Sequence, residues 1–116
     1  MEEEIVLNEN KARQIAAVWN EDSYRHAQML YEKTARDWLL TGNYQSYAAC
    51  LREAARLNIS LNEFNEAWQM LMDSLVAERK IHNISGESET LSDLTLIALW
   101  KKTAKKLKNY KNSLSF

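Results

Sequence analysis

Proline is absent from this chain of 116 residues, and glycine occurs only twice. Tight β-hairpin turns depend on glycine, and many other turns depend on proline, so a fold rich in β-strands is excluded. Residues with a high helix propensity, chiefly alanine, leucine, glutamate and lysine, are abundant instead. The composition predicts an all-α protein, a single compact bundle of about five helices that forms one helical domain over residues 1–116.

Cysteine occurs once, at Cys50, which excludes an internal disulfide and a metal site built from several cysteines. Long apolar runs are missing as well, since the longest, from Leu96 to Trp100, is far too short to cross a bilayer. The chain begins Met-Glu-Glu-Glu, whereas a secretory signal peptide begins with basic residues. We therefore expect a soluble, cytoplasmic protein that has no membrane partner.

Sequence motifs that carry catalysis are also missing. There is no Walker A loop, no dinucleotide-binding glycine pattern, no nucleophile elbow and no His-Glu-x-x-His zinc motif. Cys50 lies near the border of an apolar helix face with no histidine close to it in sequence, which is typical of a buried, unreactive thiol. We expect a protein that is not an enzyme, has no catalytic residues and needs no cofactor.

Each of the two histidines follows an acidic residue by four positions, Asp22 before His26 and Glu78 before His82. On a helix such pairs share a face, and they are typical of surface ion pairs. A di-metal site in a helical bundle would need glutamate and histidine at a spacing of three, which the chain lacks. We therefore predict no metal site.

Helical periodicity and turn residues divide the chain into five helices. The expected ranges are about 9–19, 23–41, 44–57, 61–81 and 93–112. Gly42 is expected to end the second helix in a left-handed conformation. Residues 82–92 are polar and are predicted to form an inter-helix loop, and residues 113–116 are expected to fray. We find no repeat along the chain.

Two helices have local signals at their starts. Asn8 is the expected N-cap of the first helix. Ser60 and Glu63 have the spacing of a capping box, and Ile59 and Phe64 lie where a hydrophobic staple would place them. The fourth helix is therefore predicted to begin directly after Ser60.

A helical hairpin is predicted at about residues 23–57, where two helices meet at a Gly-Asn-Tyr turn. Several residues of the stretch 31–59 fit the pattern of a tetratricopeptide unit, namely Tyr31, Ala35, Trp38, Gly42, Tyr44, Leu51 and Ala54. The stretch resembles a single repeat of that family, which implies a tight antiparallel hairpin. Thr34, Tyr47 and Ile59 depart from the pattern, and no second copy follows at the family's period.

Tryptophan occurs four times, on the apolar stripes of four different helices, as Trp19, Trp38, Trp68 and Trp100. A platform that stacks nucleic-acid bases would need exposed aromatic side chains beside basic groups. The pattern instead favours burial of the four indoles in a shared core.

The polar side of the second helix carries apolar and basic residues together. A mixed surface of this kind is typical of a protein interface or of a groove that contacts a nucleic-acid backbone. An apolar residue occupies a similar position on the polar side of the fourth helix. The candidate protein interface consists of Arg25, Met29, Lys33, Arg36, Leu40 and Met70.

Charge is distributed unevenly along the chain. Residues 59–100 have two basic and seven acidic groups, whereas residues 101–116 have six lysines and no acidic group. The leucine-rich first half of the last helix is expected to be buried all round. In its second half, Trp100, Leu107, Tyr110 and Leu114 fall on one side and lysines fall on the other.

Three interpretations of this lysine face, Lys101, Lys102, Lys105 and Lys108, are open. Cations at a helix C-terminus offset the helix dipole and keep a protein soluble. A row of lysines can also neutralise the phosphates of a nucleic-acid backbone. Because the segment has no arginine, which makes bidentate contacts, such binding would not depend on base sequence. In the third interpretation, the basic end docks onto the acidic 59–100 segment of a neighbouring copy, which would produce a homo-oligomer.

Together these features favour a small noncatalytic helical interaction protein that binds a protein partner, as a subunit or adaptor of a larger intracellular assembly. The alternative is a small subunit that binds nucleic-acid backbone nonspecifically through its last helix, of the kind found in RNA-guided complexes. A further alternative, supported by the acidic segment, is an inhibitor encoded by a mobile element that blocks a protein partner.

Overall fold

The computed structural model describes residues 2–113 and consists of five α-helices joined by short turns. Helix α1 spans Glu2–Ala16, α2 Glu21–Leu40, α3 Tyr44–Ser60, α4 Phe64–Lys80 and α5 Ile84–Ser113. No strand occurs within this described range. The predicted all-α fold with five packed helices is confirmed. Most of the predicted frayed segment, residues 114–116, lies outside the described residues.

The helices pack in the order in which they follow one another along the chain. Each helix contacts its neighbours in sequence, and α3 additionally contacts α5. Because the turns between α2, α3, α4 and α5 are only three residues long, these helices run alternately up and down. Helices α1 and α5 are therefore the two outer helices of the bundle.

Small side chains line the contacts between the helices. Ala35, Ala54 and Ala67 are completely buried, and their size allows neighbouring helices to approach closely. Two clusters of buried side chains form the core. One joins α1, α2 and α3 and includes Trp38, and the other joins α3, α4 and α5 and includes Leu71.

A 20-residue repeat relates α2, α3 and α4. In each of these helices, four residues at the same distances from the following turn are buried. They are residues 31, 34, 35 and 38 in α2, residues 51, 54, 55 and 58 in α3, and residues 71, 74, 75 and 78 in α4. The residue types at equivalent positions differ, as Trp38, Asn58 and Glu78 illustrate. The prediction that the chain has no repeat is wrong, because the repeat lies in the burial pattern and not in residue identity.

The turns after α2, α3 and α4 recur with the same spacing. Their middle residues are left-handed, with φ of 80° at Gly42, 62° at Asn62 and 55° at His82. The next residue in each turn donates its backbone N–H to the carbonyl five residues earlier, at 2.8 to 3.1 Å. This hydrogen bond is the Schellman closure of a helix. The left-handed conformation expected at Gly42 is confirmed, and two residues other than glycine adopt it as well.

Asn43 and Asn83 each close one helix and begin the next. The Oδ1 atom of Asn43 accepts the N–H of Ser46 at 3.0 Å, and that of Asn83 accepts the N–H of Gly86 at 3.1 Å. Glu63 occupies the equivalent position before α4 but makes no such side-chain bond. The asparagines thus fix the starts of α3 and α5 by capping.

Two predicted helix starts are wrong. Helix α1 already begins at Glu2 and ends at Ala16, so Asn8 lies inside it. Helix α3 continues to Ser60, whose hydroxyl donates to the carbonyl of Arg56 instead of capping α4. The left-handed Asn62 allows the Schellman closure of α3, and this closure prevails over the predicted capping box.

Residues 82–92 do not form the predicted inter-helix loop. The turn is confined to residues 81–83, and α5 begins at Ile84. Thr90 is buried against α4, while most of the other polar side chains in this stretch are exposed. The stretch is polar because it belongs to an outer helix that buries only one narrow face.

The predicted burial fails for three of the four tryptophans and for most of the leucines described in α5. Trp38 is buried, but 87% of Trp19 and 56% of Trp100 are exposed, so the four indoles do not share a core. In α5, Leu94 and Ile97 are buried, whereas the neighbouring leucines at 91, 96 and 99 are exposed. Helix α5 is therefore not buried all round.

Candidate functional site

The C-terminal part of α5 extends beyond the packed part of the molecule. Trp100 stacks on Phe64, the first residue of α4, with ring centroids 6.3 Å apart. The Nζ atom of Lys101 donates to Oδ1 of Asn65 at 3.1 Å and lies 5.9 Å from the ring centroid of Trp68. Every residue from 101 to 112 is exposed. We call residues 101–113 the α5 arm.

An apolar stripe continues from the packed part of α5 onto the α5 arm. Leu96, Trp100, Thr103, Leu107 and Tyr110 follow one another at alternating spacings of four and three, which place them on one face. Between 47% and 61% of Leu96, Trp100, Leu107 and Tyr110 is exposed. We call these five residues the arm seam. The apolar side predicted for the last helix exists, although Leu114 lies outside the described residues.

Most of the arm lysines lie on the side of the helix that faces away from the arm seam. Lys101 is held by α4. Successive residues of a helix are turned by about 100°, which places Lys101, Lys102, Lys105 and Lys108 within about 60° of the direction opposite the arm seam and places Lys106 beside it. Within the described chain, Lys102, Lys105 and Lys108 make no salt bridge. Three of the four predicted contact lysines therefore carry uncompensated charge.

The arginines, in contrast, are all hydrogen-bonded or paired, most of them on the surface of the packed helices. Arg13 donates to Oδ1 of Asn10 at 2.7 Å, and the other arginines pair with carboxylates. These pairs are Arg25–Glu63, Arg36–Glu32, Arg52–Glu78, Arg56–Asp93 and Arg79–Glu87. Phosphate contacts from these arginines would require that their ion pairs be broken, so a nucleic-acid groove that combines arginines with the arm lysines gains no support.

The predicted interface residues of α2 are exposed, but they face two different surfaces. Met29 and Leu40 are 60% and 85% exposed. Lys33 and Leu40 border α1, whereas Arg36 lines a groove towards α4. The charged groups are already paired, Arg25 with Glu63 at 2.6 Å and Lys33 with Asp37 at 3.4 Å.

The prediction that Met70 is exposed on the polar side of α4 is wrong. Met70 is half-buried and packs against both core clusters. Its sulfur lies 3.5 Å from Nδ2 of the buried Asn58. The prediction failed because the groove between α2 and α4 brings this face of α4 towards α3.

This groove has a volume of about 370 Å³. It is lined by apolar side chains from three helices and by carboxylates from α4. The lining includes the apolar residues Leu39, Tyr47, Leu51 and Met70 and the acidic residues Glu66 and Asp73. We call it the α2–α4 groove. Burial and the negative charge of Asp73 raise the pKa of the Tyr47 hydroxyl.

Two carboxylates of the α2–α4 groove lack a cationic partner. Five of the seven acidic residues in segment 59–100 form salt bridges with arginines, which are Glu63, Glu78, Glu87, Glu89 and Asp93. Glu66 and Asp73 form none with any described residue, and Asp73 accepts a hydrogen bond from Gln69 at 3.2 Å. The uncompensated negative charge of the segment therefore lies in the groove, and the support for a charge-mimicking inhibitor is reduced.

A buried charged pair joins α3, α4 and α5, and it was missed by sequence reasoning. Glu78 is fully buried and accepts hydrogen bonds from Arg52 and, at 2.6 Å, from the hydroxyl of Thr90. Arg52 also pairs with Glu89 at 3.2 Å. The interpretation of Glu78 and His82 as a surface pair is wrong. Glu78 lies 20 residues after Asn58, at the equivalent buried position of the repeat, and this spacing is the sequence signal that could have predicted its burial.

Cys50 is a buried free thiol, as the sequence predicted. Its Sγ atom donates to Oε1 of Glu9 at 3.0 Å, and only 1% of the residue is exposed. Burial and the hydrogen bond to Glu9 raise the pKa of the thiol. The protonated, enclosed sulfur is unsuited to act as a nucleophile.

Compared with protein families, with curated proteins and with solved structures, the chain shows no match. Among residues 2–113, no cluster of three histidine, cysteine or acidic side chains is placed to hold a metal ion. None of the described helices combines the length and the apolar character needed to cross a membrane. The candidate functional surfaces are therefore the α5 arm and the α2–α4 groove.

Proposed function

We propose that this chain is a noncatalytic interaction protein that binds another protein through the α5 arm. The observation that carries the proposal is the continuation of the arm seam from the packed part of α5 onto an exposed helix. Spacings of four and three are those of side chains that pack into the grooves of neighbouring helices. The partner surface is expected to be an apolar groove between helices.

The charges of the α5 arm define the rim of that partner groove. Lys106 flanks the arm seam, the other arm lysines add positive charge around it, and the sequence has no acidic residue after Asp93. Carboxylates beside the partner groove would steer the arm into place and would exclude basic surfaces. The partner is therefore a protein with an apolar groove and a carboxylate rim.

Trp100 and Leu107 are expected to provide most of the binding energy. Both are more than half exposed, so docking would remove apolar area from water. Complete burial of such a side chain contributes about 1.5–3 kcal/mol, and tryptophan is enriched among the residues that dominate interface energetics.

In-cell photocrosslinking tests the proposal. A benzophenone side chain placed at position 107 is expected to give a protein adduct in the cell that naturally makes the chain. The adduct should be lost on Thr103→Glu, which puts a charge into the arm seam. Absence of a protein adduct at position 107 would contradict the proposal.

Two matched controls make the crosslinking specific. Benzophenone at position 76 of α4 reports random encounters, because Val76 is 67% exposed outside the candidate surfaces. Lys106→Glu and Lys105→Glu make the same charge change on adjacent residues, one beside the arm seam and one opposite it. The adduct should weaken several-fold with Lys106→Glu and stay unchanged with Lys105→Glu.

Backbone binding to nucleic acid is the second candidate function, favoured because Lys102, Lys105 and Lys108 make no salt bridge with any described residue. Such binding would rely on Lys105, which lies opposite the arm seam, and would weaken steeply with salt. A mobility shift of a single-stranded oligonucleotide at low salt, lost on Lys105→Glu but kept on Thr103→Glu, would support it. No shift at low salt would exclude it.

A further inference from the structure

We infer that the α5 arm docks into the α2–α4 groove of a second copy of this chain. The inference rests on the proposed function, because it names the partner of the same arm. The groove has the properties expected of that partner surface, which are an apolar lining and a carboxylate rim. The contact joins two different surfaces, so it closes as a dimer when two copies exchange arms reciprocally.

The apolar parts of the two surfaces match in character. The groove offers Leu39, Tyr47, Leu51 and Met70 over about 370 Å³, and Leu39 is 42% exposed. The arm seam offers Trp100 and Leu107, which are 56% and 54% exposed. Burial of both sets against each other removes apolar surface that each copy leaves in water.

The charges that lack salt bridges also match. In segment 59–100 these charges are Glu66 and Asp73, and both border the groove. In the α5 arm, Lys106 flanks the arm seam and makes no salt bridge with any residue that the structure describes. Attraction between arm lysines and groove carboxylates would orient the docked helix.

Two other homotypic contacts fit less well. Two arms packed seam to seam would bring together segments that contain six lysines and no acid, and like charges of this density repel. The acidic start of α1, Glu2 to Glu4, is also complementary in charge, but the cavity beside it is lined by four polar or charged residues and only two apolar ones, Ile5 and Leu40. The α2–α4 groove is favoured because it combines both properties.

Analytical ultracentrifugation of the purified full chain, across a concentration series at low salt, tests this inference. The wild type is expected to associate reversibly. Leu107→Glu in the arm and Asp73→Lys in the groove should each weaken association by about tenfold or more. Both positions are exposed, and circular dichroism should show an unchanged helix content.

Charge exchange gives the most specific test. One variant carries Lys106→Glu and Lys108→Glu, and the other carries Glu66→Lys and Asp73→Lys. Each variant alone should remain monomeric, because the substituted charges of one surface then have the same sign as the charges that they meet on the other. An equimolar mixture should form a one-to-one complex, since both arm–groove contacts are complementary again.

Three outcomes would overturn the inference. The wild type stays monomeric at every concentration, or association survives the groove variant, or it is lost when Glu2, Glu3 and Glu4 are changed to lysine. In each case the proposed function is judged separately by the mass of the adduct at position 107. If the adduct contains a different protein, the proposed function stands and docking onto a second copy does not. If position 107 gives no protein adduct, both the proposed function and the docking are contradicted.

Discussion

Helix α4 and the α5 arm are both amphipathic, yet they are helical for different reasons. In α4, Leu71 and Leu75 are buried between α3 and α5, so tertiary packing stabilises the helix. In the α5 arm, Leu107 remains half-exposed, and helicity depends on continuity with the packed part of α5 and on residues that favour helices. The lysines near the C-terminus additionally offset the helix dipole.

The comparison separates stability from binding. Substitutions in the packed helices should change the free energy of unfolding, whereas substitutions in the α5 arm should change association and leave that free energy almost constant.

Arg52→Met should lower the free energy of unfolding by about 3–5 kcal/mol, because the buried carboxylate of Glu78 would lose its cationic partner. Urea unfolding followed by circular dichroism measures the change. Glu89→Gln removes the half-exposed second partner of Arg52 and should cost less than about 1 kcal/mol. Equal effects of the two substitutions would show that the buried pair has no special role.

Leu71→Ala and Leu107→Ala make the same truncation in the two regions. Leu71 is completely buried, so its loss should cost about 2–5 kcal/mol. The exposed Leu107 should change stability by less than about 0.5 kcal/mol. Thermal and urea unfolding of both variants provide the measurement. A large cost at Leu107 in a monomeric sample would mean that the α5 arm stabilises the packed helices.

Gly86→Ala should destabilise the start of α5 by about 1–3 kcal/mol, because the packing there is too close for a side chain. An added Cβ would lie 2.5 Å from Oε2 of Glu78 and 2.6 Å from Nδ2 of Asn83. Ser88→Ala, on the exposed side of the same helix, is the matched control and should be close to neutral. A neutral Gly86→Ala would show that the two side chains move aside freely.

His82→Gly should raise the free energy of unfolding by up to about 1 kcal/mol, since histidine is held in a left-handed conformation that glycine adopts without steric cost. Gly42→Ala should lower it by a similar amount, because the added Cβ meets no atom within 4 Å and the cost is conformational. The unfolding midpoints of both variants measure these changes. If the two turns are equivalent members of the repeat, the two substitutions must change the free energy of unfolding in opposite directions.

Sequence reasoning predicted the fold class because composition and helical periodicity are local properties. The turn at Gly42 was predicted because glycine reports a left-handed conformation directly. Asn62 and His82 adopt the same conformation without that signal. At Ser60 and Glu63 a local capping pattern was present, but the closure of α3 through Asn62 prevailed over it.

Burial in the outer helices and the α2–α4 groove could not be predicted in the same way. Periodicity identified the apolar side of α5, but it does not show whether another helix covers that side. Trp100 and Leu107 were therefore placed on the correct face without knowledge of their exposure. Glu66 and Asp73 gain significance only when the salt bridges of the other acidic residues are known.

The consecutive packing of the helices has a consequence for biosynthesis. Each of the helices α2 to α4 meets its next partner about 20 residues further along the chain. A nascent chain leaving the ribosome can therefore bury each helix as soon as the following one has emerged, without waiting for distant segments. The α5 arm emerges after the three helices that line the α2–α4 groove, so on a nascent chain the groove can form before its proposed ligand appears.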